Sequence, residues 1–307
     1  MPANVETMFY TGETPWHRLG TYVADAPDSE AALVAAGLAW AVEAEPVYTA
    51  EGFEIPGYRV NRRVTDGAVL GVVTDAYRIV QNREAFAFAD ALLGEGARFE
   101  TAGSLAGGRR VWLTTRLPED FRVLGDPTTV YLTITNGHDG RHAFQAVVSP
   151  VRVVCQNTLT LALARTRRTW SVIHTARVAD HLQAARDALA LTAGYLKALD
   201  RAAADLAAKP LTLAEWHDLV DGTLVPRPAP GERERPSTAA FRETLRAAFD
   251  RPDHAAFART GWAAVNAVAW AVSHRPATGR SPERPMVAFL DGDALFGKVL
   301  DALGAGV

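Results

Sequence analysis

One cysteine and eight histidines bound the nucleophilic and metal-binding chemistry open to this chain of 307 residues. Cys155 closes a Val-rich run and His174 follows later in the sequence. A thiolate beside an imidazole is a nucleophile with its own base. Cys155 falls where strand-type sequence passes into helix-type sequence, and a helix N-terminus there would lower its pKa. Free cysteine is also among the most buried residue types, so simple packing is the alternative role. His138, Asp139 and His142 form a second group, with the donor atoms of a metal site. They lie in and just after Asn136-Gly137-His138-Asp139-Gly140. Asn-Gly and Asp-Gly are what a tight hairpin turn demands sterically, so no metal site is expected. Trp16-His17 is a third candidate, either lining a pocket or anchoring an irregular N-terminal segment to the core.

The arginines are the fourth group. Arg109 and Arg110 follow Gly107-Gly108, Arg141 follows the next turn, and Arg152 precedes Cys155. Arg165, Arg167 and Arg168 come just before Trp170. Guanidinium groups track phosphates and an aromatic ring accepts a stacked base, so this set suits single-stranded nucleic acid. The plainer alternative is a helix end whose cations favour the helix dipole. Charge is segregated along the chain. Residues 1 to 51 carry eight carboxylates against Arg18, and residues 141 to 186 carry seven arginines against Asp180. That asymmetry marks either a surface for an anionic partner or two segments that neutralise each other.

Elements of two kinds must position these residues. Asp28 to Ala36 reads as a short helix closed by Gly37. Strand-type stretches follow at Leu38 to Tyr48, Gly57 to Val64 and Val69 to Thr74, with Asp66-Gly67 as a hairpin signal. Asn82 to Leu93 has helical periodicity, with Asn82 placed to cap it. Two more hairpins are expected, Phe99 to Leu105 with Arg109 to Thr115, and Thr129 to Thr135 with Ala143 to Val148. Val130 to Thr135 alternates with the period of a half-buried strand. Beyond Pro150 the pattern turns helical: Asn157 to Ala164, then Val178 to Ala208 after a last strand at Trp170 to His174. Thr212-Leu213-Ala214-Glu215 has the form of a capping box. Residues 225 to 236 contain four prolines and read as a linker. Helices are expected at Ser237 to Phe249, Ala255 to Ser273 and Asp293 to Leu303, and residues 1 to 27 look irregular. Strands first and helices second argue for an α+β fold: an antiparallel, hairpin-rich sheet with a crossing helix in residues 1 to 176, then a helical region over 177 to 307.

Composition narrows the class. The chain is 48% hydrophobic and 22% charged with a net charge of -3, the balance of a globular protein. Its 32 basic residues include only Lys197, Lys209 and Lys298, a bias of coding composition more than of site chemistry. A single cysteine implies no internal disulfide, the N-terminus lacks signal-peptide form, and Trp262 to Val272 is too short to cross a bilayer. A cytoplasmic protein away from membranes is the expectation. Gly103 to Gly108 lacks the Gly-Lys-Ser/Thr of a phosphate loop, and no dinucleotide fingerprint is present, so no cofactor is expected.

Several stretches resemble a known family. Thr14-Pro15-Trp16-His17-Arg18-Leu19-Gly20, Tyr77-Arg78-Ile79-Val80-Gln81-Asn82, Val151 to Leu159, His174-Thr175 and Thr260 to Val268 are similar to segments of the phage/plasmid-like proteins of unknown function, domain of unknown function 932. The resemblance spans roughly residues 10 to 300 and departs in the Pro/Arg-rich loop 275 to 290. It implies a phage, prophage or plasmid context and transfers no catalytic residues. By fold-level analogy, the hairpin-plus-helix pattern also resembles the cores of phage annealing proteins such as the RecT and Erf groups. The expected function is therefore single-strand nucleic-acid binding or annealing by a homo-oligomer, through Arg109, Arg110, Arg141, Arg152, Arg165, Arg167, Arg168 and Trp170. The alternatives are a hydrolase using Cys155 and His174, or a protein-binding module acting on a host system.

Overall fold

The computed structural model describes residues 5–11, 20–25, 28–93, 98–117, 121–152, 157–158, 169–172, 192–275 and 294–304. It is an α+β fold built on two sheets and a helical layer.

The large sheet comprises β1 (Val5–Tyr10), β2 (Thr21–Tyr22), β6 (Arg98–Leu105), β7 (Arg110–Arg116), β8 (Phe121–Val123), β9 (Asp126–Gly137), β10 (Phe144–Arg152), β11 (Asn157–Thr158) and β12 (Thr169–Val172). Its main path runs β11-β10-β9-β7-β6-β1-β2, with β12 also on β10 and β8 on β9. Every pairing is antiparallel except the two-residue β1–β2 contact. The small sheet is separate: β3 (Val42–Tyr48), β4 (Glu54–Arg63) and β5 (Val69–Thr74), in that order.

Two helices cover one face of the large sheet. Helix α1 (Ser29–Ala35) starts where the Asp28 carboxylate accepts the Ala31 N–H at 2.7 Å, and Gly37 at φ 67° ends it. Helix α2 (Asn82–Leu93) lays Ala85, Phe86, Phe88 and Ala89 against Val130, Leu132 and Ile134 of β9 and Phe144 of β10. Phe88 meets Phe144 edge-on with ring centroids 5.2 Å apart. Asn82 does not cap α2 with its side chain. The Gln81 carbonyl accepts the Ala85 N–H at 2.9 Å, while the Asn82 amide turns inward.

Several expectations change. Val5–Tyr10 is a strand inside the segment that read as irregular, because Val5, Met8 and Phe9 are core residues. Asn157–Thr158 extends the sheet by pairing with Arg152 and Val151 instead of opening a helix. Strand β9 is buried on both faces, not one: Thr133 and Thr135 are as enclosed as Leu132 and Ile134. Thr133 tolerates that burial through a hydroxyl–hydroxyl hydrogen bond to Thr114 at 3.4 Å. Residues 252–257 form 3-10 turns, and a new helix begins after Thr260, whose hydroxyl accepts the Ala263 N–H.

The helical layer contains α3 (Thr192–Ala207), α4 (Leu213–Leu219), α5 (Pro236–Ala247), α6 (Gly261–Ser273) and α7 (Ala294–Ala302). Thr212 and Glu215 make the expected capping box, and residues 225–235 form the connection before Pro236. Helix α6 is apolar on all sides and buried from Gly261 to Ala269, so it is the axis around which the other helices pack. Arg242 is buried beside it. It donates to the Val225 and Pro226 carbonyls and forms an ion pair with Glu234. The layer joins the sheet through β8, where Val123 enters the helical core and the Leu124 N–H donates to Asp200 at 3.0 Å.

Candidate nucleic-acid interface at the end of the large sheet

Cross-strand register brings the β6–β7 and β9–β10 turns side by side. Arg110 pairs with Gly137, and the His138 N–H donates to the Arg109 carbonyl at 2.8 Å. The first turn needs left-handed backbone at Ala106, Gly107 and Gly108, with φ of 54°, 69° and 85°. In the second, the Asp139 carboxylate accepts the N–H groups of Arg141 (2.9 Å) and His142 (3.2 Å), and Gly140 sits at φ 75°. The His142 ring faces the same carboxylate at 3.1 Å. Burial pushes the Asp139 carboxyl up, but the His142 ring and the two backbone donors outweigh it and hold it at about 2.

Behind this corner lies a connected set of buried amides. His138 is fully enclosed; its Nε2 is 2.8 Å from Asn82 Oδ1. Since Asn82 Nδ2 donates to the Leu38 carbonyl, the imidazole must be the donor in the first bond. Asn61 of β4 donates to the His138 carbonyl at 2.8 Å, and Asn136 donates to the Val80 carbonyl at 2.8 Å. The Tyr77 hydroxyl donates to the Gly137 carbonyl at 2.7 Å; burial, with the Asp139 charge, raises its pKa. Gln81 pairs with Val42 as a peptide group would, accepting its N–H and donating to its C=O. Trp40 meets the His138 ring edge-on, and the Arg63 guanidinium lies 5.2 Å over Trp40 while bonding Glu6 and Asp66. The small sheet is thereby bolted to the large one through the 136–142 turn.

Arg109 and Arg141 are exposed at this corner, whereas Arg110 is buried, with 4% of its surface accessible. Arg78 is exposed next to Tyr77, whose hydroxyl reaches Gly137. Sequence reading passed over Arg78, although it stands inside the Tyr77–Asn82 motif. Arg152 is at the other end of the sheet. It pairs with Thr128, nine residues along β9 from the Gly137 that pairs with Arg110, about 30 Å at strand rise. Trp170 pairs with Ala146 on the outer edge of β10. Cys155, His174, Arg165, Arg167, Arg168 and Trp16-His17 lie outside the described residues. His138 and His142 do not converge, since one is turned to Asn82 and the other to Asp139. Among the described residues no group of three or more His, Cys, Asp or Glu is placed to hold a metal ion. No described helix is long and apolar enough to cross a membrane.

Comparison with curated proteins and with solved structures returns no match. The family model described as a domain of unknown function (DUF932) matches residues 69–287, which includes the 77–82 motif, the 136–142 turn and helix α6. With well over half of its length matched, the chain belongs to the DUF932 family.

Proposed function

We propose that the chain is a nucleic-acid-handling protein that binds single strands at the end of its large sheet, in keeping with the phage or plasmid setting that the family resemblance implies. The observation that carries this reading is the gathering of exposed Arg78, Arg109 and Arg141 around one turn. The acid of that turn, Asp139, is engaged by the His142 ring and two backbone N–H groups, so it competes little for Arg109 and Arg141. A phosphate backbone crossing both hairpin tips meets guanidinium groups held on a rigid scaffold. No bond is made or broken in this function. Holding one strand by its backbone leaves its bases free to pair, which is what annealing requires, and a homo-oligomer in the cytoplasm would array such corners along a strand.

The test is an electrophoretic mobility-shift titration with a labelled oligonucleotide and the equivalent duplex across a salt series. Binding should favour the single strand and weaken steeply with salt, with the logarithmic slope growing by about 0.7 for each phosphate neutralised. Binding that is absent, or unchanged between low and high salt, refutes the reading.

A further inference from the structure

The small sheet carries a second surface that faces away from the arginine corner. Its inner face is set by Asn61 and Arg63, both buried, and by Gly71, where a Cβ would come 2.5 Å from the Asp139 backbone. Strand alternation therefore turns Tyr58, Val60 and Arg62 outward. Register extends that outer face in rows: Glu43–Arg62–Val69, Glu45–Val60–Val72 and Tyr58–Thr74. An antiparallel sheet with one wet face normally places polar side chains there. Here Tyr58, Val69 and Val72 are 48%, 56% and 56% exposed. Six of the eight large apolar side chains exposed among the described residues fall between Tyr48 and Val72. Single exposed apolar residues are ordinary, but a contiguous group marks a contact surface.

Charge identifies the kind of partner. Residues 42 to 75 hold six carboxylates and three arginines, with no lysine or histidine. Each arginine is engaged: Arg59 with Glu54 and Asp75, Arg62 with Glu45, Arg63 with Glu6 and Asp66. The excess is negative: Glu43 is exposed in the first of those rows and Glu51 is exposed in the β3–β4 turn. Such a surface repels a phosphate backbone, and a second copy placed face to face would oppose like charges. We propose that this outer face docks a basic, apolar polypeptide segment of a partner protein, with aliphatic side chains on Tyr58, Val69 and Val72 and Lys or Arg side chains toward Glu43.

The experiment is fluorescence anisotropy with the full chain and three labelled heptapeptides: alternating Lys-Val, alternating Glu-Val and alternating Lys-Ser. The Lys-Val peptide should bind, the Glu-Val peptide should not, and the Lys-Ser peptide should bind at least about tenfold more weakly. Tyr58→Ser and Val72→Ser, both at exposed positions, should each weaken Lys-Val binding about tenfold while leaving urea unfolding unchanged. Equal binding of the three peptides, no binding at all, or variants that bind like the parent overturns the proposal. So does sedimentation showing that the chain self-associates through this face and that Val72→Ser abolishes the assembly, because the occupant is then a second copy.

Discussion

Replacing Asn82 with Ala tests whether the amide network behind the 136–142 turn holds the two sheets together. The side chain is 1% exposed and makes two bonds, from Nδ2 to the Leu38 carbonyl at 3.1 Å and from the His138 ring to Oδ1 at 2.8 Å. Alanine leaves both partners buried without it. An orphaned buried polar group costs about 1–3 kcal/mol, so the substitution should destabilise the fold by about 2–5 kcal/mol. Urea unfolding followed by tryptophan fluorescence measures this, because Trp40 lies edge-on to His138 and reports on the same junction. A double-mutant cycle with His138→Ala isolates the shared bond. The double variant should lose less than the sum of the singles by about 1 kcal/mol, since each single change already breaks that contact. A loss under about 0.5 kcal/mol for Asn82→Ala, or additivity within about 0.3 kcal/mol, would show that the network does not carry the junction.

Three further outcomes are expected. Arg109→Ala with Arg141→Ala should lower the salt slope of oligonucleotide binding by about 1.4 and leave the melting temperature unchanged; a mobility-shift salt series reads both strength and slope. Asp139 has its folded pKa lowered from 3.8 to about 2, so its contribution to stability is complete above the unfolded value and is lost as pH falls through the folded one. The stability difference between parent and Asp139→Asn, about 1–2 kcal/mol by urea unfolding at pH 6, should therefore shrink as the pH is taken down to 2. Arg242→Met should destabilise by about 2–4 kcal/mol in the same assay, because the Val225 and Pro226 carbonyls lose their buried donor.

Local order could be read from the residues, and long-range placement could not. The Asp66-Gly67 hairpin and the Thr212–Glu215 capping box are decided by neighbours in sequence and stand where steric and capping rules put them, whereas α2 starts at Asn82 without the side-chain cap expected of that residue. Strand β1 was missed because its six residues, Val5–Tyr10, show no alternation; burial across the strand follows its neighbour β6 instead. The second buried face of β9 was missed for a related reason. Thr reads as a solvent-facing residue, and only the cross-strand Thr114–Thr133 contact shows it enclosed. The docking of the small sheet on the large one depends on amide contacts such as Asn61 to His138, 77 residues apart, which no local pattern encodes. In the candidate site, the hairpin tips at Arg109 and Arg141 followed from their glycines. The juxtaposition of those tips and the burial of Arg110 came from register, and the inclusion of Arg78 from the Tyr77–Gly137 hydrogen bond.

Among the described residues, several of those that carry the family resemblance are occupied in building the scaffold. In the 77–82 motif, Tyr77 bonds the Gly137 carbonyl, Gln81 pairs with Val42, and Asn82 joins Leu38 to His138. In α6, the fully buried Asn266 donates back to the Trp262 carbonyl. A polar group committed to a buried main-chain partner is not available to a ligand, since withdrawing it would orphan that partner. The described parts of the motif therefore specify an architecture, in which the 136–142 turn is clamped between two sheets, and leave the chemistry to what projects from it. Within the same motif Arg78 is exposed, beside the Tyr77 that reaches Gly137. If the family acts on a polyanion through this end, Arg78→Ala should weaken oligonucleotide binding while Tyr77→Phe, which removes only the hydroxyl bond to Gly137, should lower stability and leave the salt slope intact. Equal effects of the two on binding would mean that the corner acts through its rigidity and not through its charge.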